Sequence, residues 1–250
     1  MADTAEAFGN LYYQGFESLQ RCSDEKQVYI AKFSEYIERY EVDSLLDIGA
    51  GNGEVAVPIS EQVGVYVAVE QDPKYAAMLQ NAGKKVVEQA FPVEVQGSYD
   101  LVVMSHIISN ISGNYATLVP PAWELVRPDG HLLVVTHRGT EQDDWNQLLD
   151  FVGLGYSERS TARIIDLVAS LQERGKTEIQ KITTTLRAAD STQMIEAMAF
   201  LASSGDEAKH GRFMEKAERV IQVLDKEYRT EDGFSFPLLH PFLSTQKSAS

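Results

Sequence analysis

The chain has 250 residues, and its 44% hydrophobic content is enough to fill a sizeable core, so disorder is not the default expectation. Its 22 Lys and Arg face 37 Asp and Glu, a formal net charge of -15 with no basic run, so neither nucleic acid nor an anionic membrane is expected as a partner. One cysteine, Cys22, leaves no means for an intrachain disulfide or a cysteine metal cluster.

The N-terminal MADTAEAFGN places acids where a secretory signal has positive charge, which points to a cytoplasmic location. Tyr29, Ile30, Phe33, Tyr36, Ile37 and Tyr40 then recur at the spacing of an amphipathic helix, with Ser23 placed to cap it. SLLDIG at 44–49 predicts a strand, followed by a glycine-rich turn and by EVAVPISEQ, a helix weakened by Pro58. The pattern repeats in YVAVE at 66–70 and DPKYAAMLQNAG, where Pro73 suits a first helical turn and Gly83 a stop. KKVVEQ at 84–89, YDLVVMS at 99–105 and HLLVVTH at 131–137 predict three further strands, with a helix around 114–126 and a turn at Arg127-Pro128-Asp129-Gly130. Residues 101–123 carry no charged side chain, yet their serines, asparagines and prolines make poor bilayer filling. Beyond them, WNQLLDFVGLG and RIIDLVASLQERG read as helices, EIQKITTTLRA as a strand and 206–228 as a helix. FSFPLLHPFLSTQ predicts a last strand at the sheet edge, because Pro237 and Pro241 fit poorly in a central one.

Strands alternating with helices predict an α/β fold, a mostly parallel seven-stranded sheet with helices on both faces. Its most informative segment is LLDIGAGNGE at 45–54, where Gly49, Gly51 and Gly53 follow a strand directly and let a ligand approach the backbone. The spacing departs from the dinucleotide fingerprint, since the third glycine comes one residue early and Glu54 takes its place. Asp47 at the strand end suits an ammonium group, and Glu70 offers two acceptor oxygens to a ribose diol. A ligand that joins an amino acid to a nucleoside fits both.

DIGAGNG, VAVE and YDLVVMSHII together resemble the class I S-adenosylmethionine-dependent methyltransferase family. The resemblance implies a Rossmann-like sheet, S-adenosylmethionine as cofactor with S-adenosylhomocysteine as product, and no metal. It places Asp47, Gly49, Ala50, Gly51 and Gly53 against the methionine part, Glu70 with Gln71 at the ribose, Gln89, Ala90 and Phe91 at the adenine, and Ser105 after the fourth strand. The expected organisation is one compact unit: an N-terminal helical lid over 1–42, a cofactor-binding core over 43–140, a helical substrate cap with a late strand over 141–232, and an edge strand and tail over 233–250.

Acceptor chemistry rests on fewer residues. YYQGFESLQRCSDEKQ at 12–27 is similar to the N-terminal segment of the histamine N-methyltransferase family, which implies Glu25, Tyr12, Tyr13 and Phe16 as substrate contacts and Trp145 as an aromatic wall. Leu149 stands where that pattern has a second tryptophan, and FPLLHPFL departs from its last strand. Glu25 also reads as an acid favoured in a first helical turn, and the aromatics as helix packing. His106, beyond the fourth strand, is the candidate catalytic base and a substrate contact, while His137 and Arg138 follow the fifth. The expected activity is methylation of a small amine or natural-product nucleophile, by direct in-line transfer, in a monomer or homodimer. O-methylation of a phenol or carboxylate, and a non-catalytic cofactor-binding protein acting through a partner, stay open on these residues.

Overall fold

Strand residues that alternate between two buried faces need helices above and below them, and the chain supplies both. The computed structural model describes residues 2–110, 115–136, 143–154, 158–204 and 206–249. It divides into two compact units that interleave in sequence: Met1–Glu25, Gly139–Glu158 and Thr183–Leu239 form one, and Lys26–Arg138, Arg159–Ile182 and His240–Ser250 the other.

The larger unit is built on β1 (Ser44–Ile48), β2 (Val65–Val69), β3 (Lys85–Val87), β4 (Tyr99–Ser105) and β5 (Val126–Val135). These pair in parallel in the order β3-β2-β1-β4-β5. Leu46, Ile48, Val102, Met104, Leu132 and Val134 pack with Leu118 and Val119 of α6 (Tyr115–Glu124) and with Leu167 and Leu171 of α8 (Glu158–Gln172). Their strand neighbours Leu45, Leu101, Val103, Leu133 and Val135 pack with Tyr29, Phe33, Tyr36 and Ile37 of α2 (Glu25–Arg39) and Ile59 of α3 (Ala56–Ser60). The predicted stripe of α2 is thus its core face. At its start Ser23 Oγ accepts from the Glu25 N–H at 3.1 Å. α4 (Pro73–Asn81) begins as expected, with Pro73 in its first turn and the Asp72 carboxylate accepting from the N–H groups of Lys74 and Tyr75. The short α5 (Ile107–Asn110) follows β4.

Beyond β5 come β6 (Lys176–Ala188), β7 (Arg229–Thr230) and β8 (Gly233–Gln246), in the sheet order β5-β8-β6 with β7 on β8. Among the described residues the sheet therefore has eight strands rather than seven, the addition being the two-residue β7. The last strand is interior and not at the edge. Its antiparallel ladder with β5 runs from Phe242 to Gln246, past both prolines, and Pro241 contributes only its carbonyl, accepting from the Thr136 N–H at 3.3 Å. The predicted turn at Arg127–Gly130 lies inside β5 instead of before it. Tyr99 pairs with Val126 and Leu101 with His131, so the turn residues bulge opposite Asp100, with Asp129 at φ 62.

The smaller unit carries α1 (Ala2–Cys22), α7 (Asp144–Phe151), α9 (Ser191–Ser203), α10 (Glu207–Met214) and α11 (Ala217–Val223), which ends in a π-helical turn over Leu224–Tyr228. The helix expected over 206–228 is broken because Lys216, at φ -103 and ψ 0, leaves helical geometry. Leu19, Cys22, Leu148, Val152, Met194, Met198, Phe213 and Phe236 are among its core residues. No helix among the described residues is long and apolar enough to cross a membrane.

Candidate functional site

Parallel pairing brings the C-terminal ends of β3, β2, β1 and β4 to one edge of the sheet, and the chain leaves each through a loop that carries candidate residues. The loop after β1 turns at Gly49, Gly51 and Gly53, with φ of 80, 63 and 88. At Gly49 a side chain is excluded twice over: its φ is left-handed, and a Cβ would lie 2.2 Å from Ile107 Cγ2. The Gly49 N–H is bonded to the Val69 carbonyl at 2.7 Å, which ties the loop to β2. Gly51 differs, since a Cβ there would meet nothing within 4 Å.

Glu70 ends β2 and lies under this loop, 6% exposed. Its Oε2 accepts from the Gly51 N–H at 2.8 Å and its Oε1 from the Asp72 N–H at 2.8 Å. Two backbone donors hold the carboxylate in place, and each oxygen keeps acceptor capacity for one more donor. Gln71, next in the chain, is exposed.

Asp47, one residue before the end of β1, has the opposite balance. It is 5% exposed, and burial raises its pKa to about 7, offset in part by a hydrogen bond from Tyr66 Oη at 3.0 Å and raised further by the Glu70 charge. A buried carboxyl short of donors gains most from a cation, and an ammonium group supplies both charge and N–H donors. Tyr66, pushed well above the usual phenol range by the same burial, was not apparent as a site residue in the sequence. The signal lies in register: Asp47 pairs with Ala68, and Tyr66 is the next residue of β2 on that face.

After β3, Gln89 and Ala90 are exposed while Phe91 is buried against the sheet with Val67 and Val69 in one cluster. After β4 come Ser105 and His106, both half-buried. His106 takes a left-handed φ of 58, with its N–H on the Val135 carbonyl at 2.9 Å. Its ring stacks on Tyr29, and Nε2 lies 2.8 Å from Tyr29 Oη. His240 of β8 meets both rings, at 5.4 Å from Tyr29 and 5.7 Å from His106. Neither Tyr29 nor His240 is marked in the sequence, one being part of a helical stripe and the other part of a strand.

The structure thus gathers Asp47, Gly49, Ala50, Gly51, Gly53, Glu70, Gln71, Gln89, Ala90, Phe91, Ser105 and His106 along one sheet edge of the larger unit. The acceptor candidates other than His106 fall in the smaller unit. Tyr12, Tyr13 and Phe16 form an aromatic group on α1, with Phe200 of α9 against Tyr12 and Phe16. Gly15 lets Phe200 approach, since a Cβ would fall 2.7 Å from its ring. Trp145 is a core residue packed on Phe213 and Phe236. Glu25 is buried in the first turn of α2. His137 and Arg138 lie outside the described residues.

Glycines that admit a backbone-close ligand, a carboxylate with acceptor capacity at each oxygen and a buried acid in need of a cation fit the methionine chain, the ribose diol and the ammonium group of S-adenosylmethionine. The family model described as "Methyltransferase domain" matches residues 17–175. No curated protein matches the chain. Among solved structures, the YcgJ protein from Bacillus subtilis is similar with a TM-score of 0.53 at 15% identity, over 87% of this chain and 98% of that one. N-methyltransferase NodS from Bradyrhizobium japonicum is similar with a TM-score of 0.51 at 10% identity, over 92% and 97%. The plantazolicin methyltransferase BpumL, in complex with a desmethyl analogue and S-adenosylhomocysteine, is similar with a TM-score of 0.51 at 10% identity, over 98% and 91%. At such identities the likeness is one of fold.

Proposed function

The chain belongs to the class I S-adenosylmethionine-dependent methyltransferase family, and from that premise we propose that it methylates a small molecule, an amine or natural-product nucleophile, by direct in-line transfer. The observation that carries the cofactor assignment is the Glu70 carboxylate, fixed by the N–H groups of Gly51 and Asp72 with both oxygens still able to accept from a diol. A small-molecule acceptor is supported by the fold shared with N-methyltransferase NodS and the plantazolicin methyltransferase. The net charge of -15 supports neither nucleic acid nor an anionic membrane as partner.

The cofactor supplies a methyl group already activated on a sulfonium. What the chain adds is alignment and proton management. In this reading Asp47 receives the ammonium end, the glycine loop admits the methionine part, Glu70 and Gln71 take the ribose edge, and Gln89, Ala90 and Phe91 flank the adenine. Holding the partners in line is worth roughly 7–11 kcal/mol of barrier. An alkyl amine with a pKa near 10 costs about 4 kcal/mol to keep neutral at pH 7, so a base is required, and His106 is assigned that role. Ser105 lies beside it. Acceptor recognition is assigned on sequence pattern to Tyr12, Tyr13, Phe16, Glu25 and Trp145.

Calorimetric titration with S-adenosylmethionine, S-adenosylhomocysteine and NAD in parallel tests the cofactor, and the two adenosyl ligands alone are expected to bind. Transfer of label from methyl-labelled cofactor to panels of amines, phenols and carboxylic acids then tests the acceptor class. Label confined to phenols or acids would overturn the amine reading; no transfer despite adenosyl binding would favour a protein acting through a partner.

A further inference from the structure

We propose that Tyr66 is a positioning residue for Asp47, holding that carboxylate ready for the cofactor's ammonium group and so setting the chain's preference for an adenosyl ligand that carries one; this rests on the reading of Asp47 as the ammonium acceptor. Tyr66 Oη lies 3.0 Å from Asp47 Oδ2. The contact follows from the sheet. In the parallel pairing of β1 with β2, Leu45 stands beside Tyr66 and Asp47 beside Ala68, so the two side chains leave the sheet on one face. There the Tyr66 ring packs against two apolar clusters, one containing Leu45 and Ile59 and the other Ala56, Ala68 and Leu79. The ring cannot turn away without opening that packing, so its hydroxyl is a fixed partner. Burial and the Asp47 charge hold the phenol protonated, well above its usual range, and it therefore donates to Asp47.

This one donor does two things for the carboxyl. It occupies a single acceptor position on Oδ2, so Oδ1 and the second lone pair of Oδ2 keep capacity for an ammonium group. It also favours the anion, the form that attracts a cation, against a burial that drives the group toward the neutral acid. The charges around Asp47 oppose each other: Glu70 after β2 disfavours its ionisation and Lys26 of α2 favours it, while its neighbour on β4 is Val103. Loss of the Tyr66 hydroxyl leaves the ring in place and the anion with one stabilising bond fewer. The hold on the ammonium group then weakens, and the hold on ribose and adenine does not. Tyr66 acts here only through Asp47.

Calorimetric titration of wild type and Tyr66→Phe with S-adenosylhomocysteine and with deamino-S-adenosylhomocysteine, which keeps the carboxylate and lacks only the amino group, measures this preference. At about pH 7, Tyr66→Phe is expected to lose roughly five- to tenfold in affinity for S-adenosylhomocysteine, with the deamino analogue kept within about twofold of wild type. Followed from about pH 6 to about pH 9, affinity for S-adenosylhomocysteine is expected to rise as Asp47 gives up its proton. The Tyr66 bond lowers the Asp47 pKa from what burial alone imposes, so Tyr66→Phe should move the midpoint of that rise upward by about one pH unit, the equivalent of tenfold. Unchanged affinity for S-adenosylhomocysteine, equal losses for the two ligands or an unmoved midpoint would each overturn the proposal, equal losses because they would mark Tyr66 as a residue of the fold alone. Failure of the ammonium reading appears elsewhere, as an Asp47→Asn variant that keeps the wild-type preference between the two ligands.

Discussion

The ends of β1 and β2 carry two buried carboxylates one strand apart, and they are supported in opposite ways. Glu70 receives two backbone N–H donors, whereas Asp47 receives a tyrosine hydroxyl and is pushed up to about 7 by burial. The difference follows from local chain geometry. The left-handed turn at Gly51 and the start of the Asp72 turn both aim N–H groups at Glu70, while Asp47 lies inside the sheet, where the backbone donors around it are spent on strand pairing. A carboxylate held by two donors with a lone pair to spare on each oxygen suits a neutral diol, and an under-supported acid suits a cation.

The largest test of this contrast is Glu70→Ala. It removes the diol acceptor and strands two N–H groups, so adenosylhomocysteine affinity is expected to fall at least tenfold, about 1.4 kcal/mol or more, as read by calorimetry. Unchanged affinity would remove Glu70 from the ribose. Asp47→Asn should give a mixed result. The folded protein keeps the Asp47 proton up to about pH 7, against 3.8 as the ordinary value, so between these limits the native state binds the extra proton and stability falls as pH rises. Above about pH 7 the full cost is present, and Asn does not carry it. The free variant is therefore expected to melt roughly 3 °C above wild type at about pH 8, as about 1 kcal/mol would produce in a chain of this size, and to lose that advantage progressively as pH falls toward 3.8. Its affinity for the ammonium-bearing ligand should fall about tenfold at the higher pH. A variant less stable at every pH would show that Asp47 is a structural residue.

An effect of backbone strain alone is expected for Gly51→Ala. A Cβ there meets nothing, so only the left-handed backbone opposes it, at about 1–2 kcal/mol, and thermal denaturation should drop by a few degrees. Gly49→Ala adds the clash with Ile107 and should cost more than Gly51→Ala. Equal losses would mean that the Ile107 side chain yields freely.

Much of the cofactor edge was legible because its signals are local. The glycines lie within five residues after β1, Asp47 and Glu70 end two apolar runs, and parallel pairing then guarantees that those ends share one sheet edge. Tyr66 was not legible, because its value to Asp47 depends on which strands are neighbours and in what register. Tyr29 and His240 were hidden for a related reason. A tyrosine in a helical stripe is first of all a core residue, and a histidine between prolines in a late strand carries no periodic sign. The final strand was misplaced at the edge because proline content was read without knowing which residues pair; the ladder to β5 begins only at Phe242.

By itself the sequence determined what short-range periodicity and turn chemistry can carry: the alternation of strands and helices, the glycine loop, and an acid at the end of each of two strands. Tertiary structure alone decided the interior position of β8, the Tyr66 bond to Asp47 and the packing of Tyr29 and His240 around His106. Those depend on contacts between residues 19 to 134 positions apart, and the cost of closing such long loops is met by burial of whole faces, which no local pattern records.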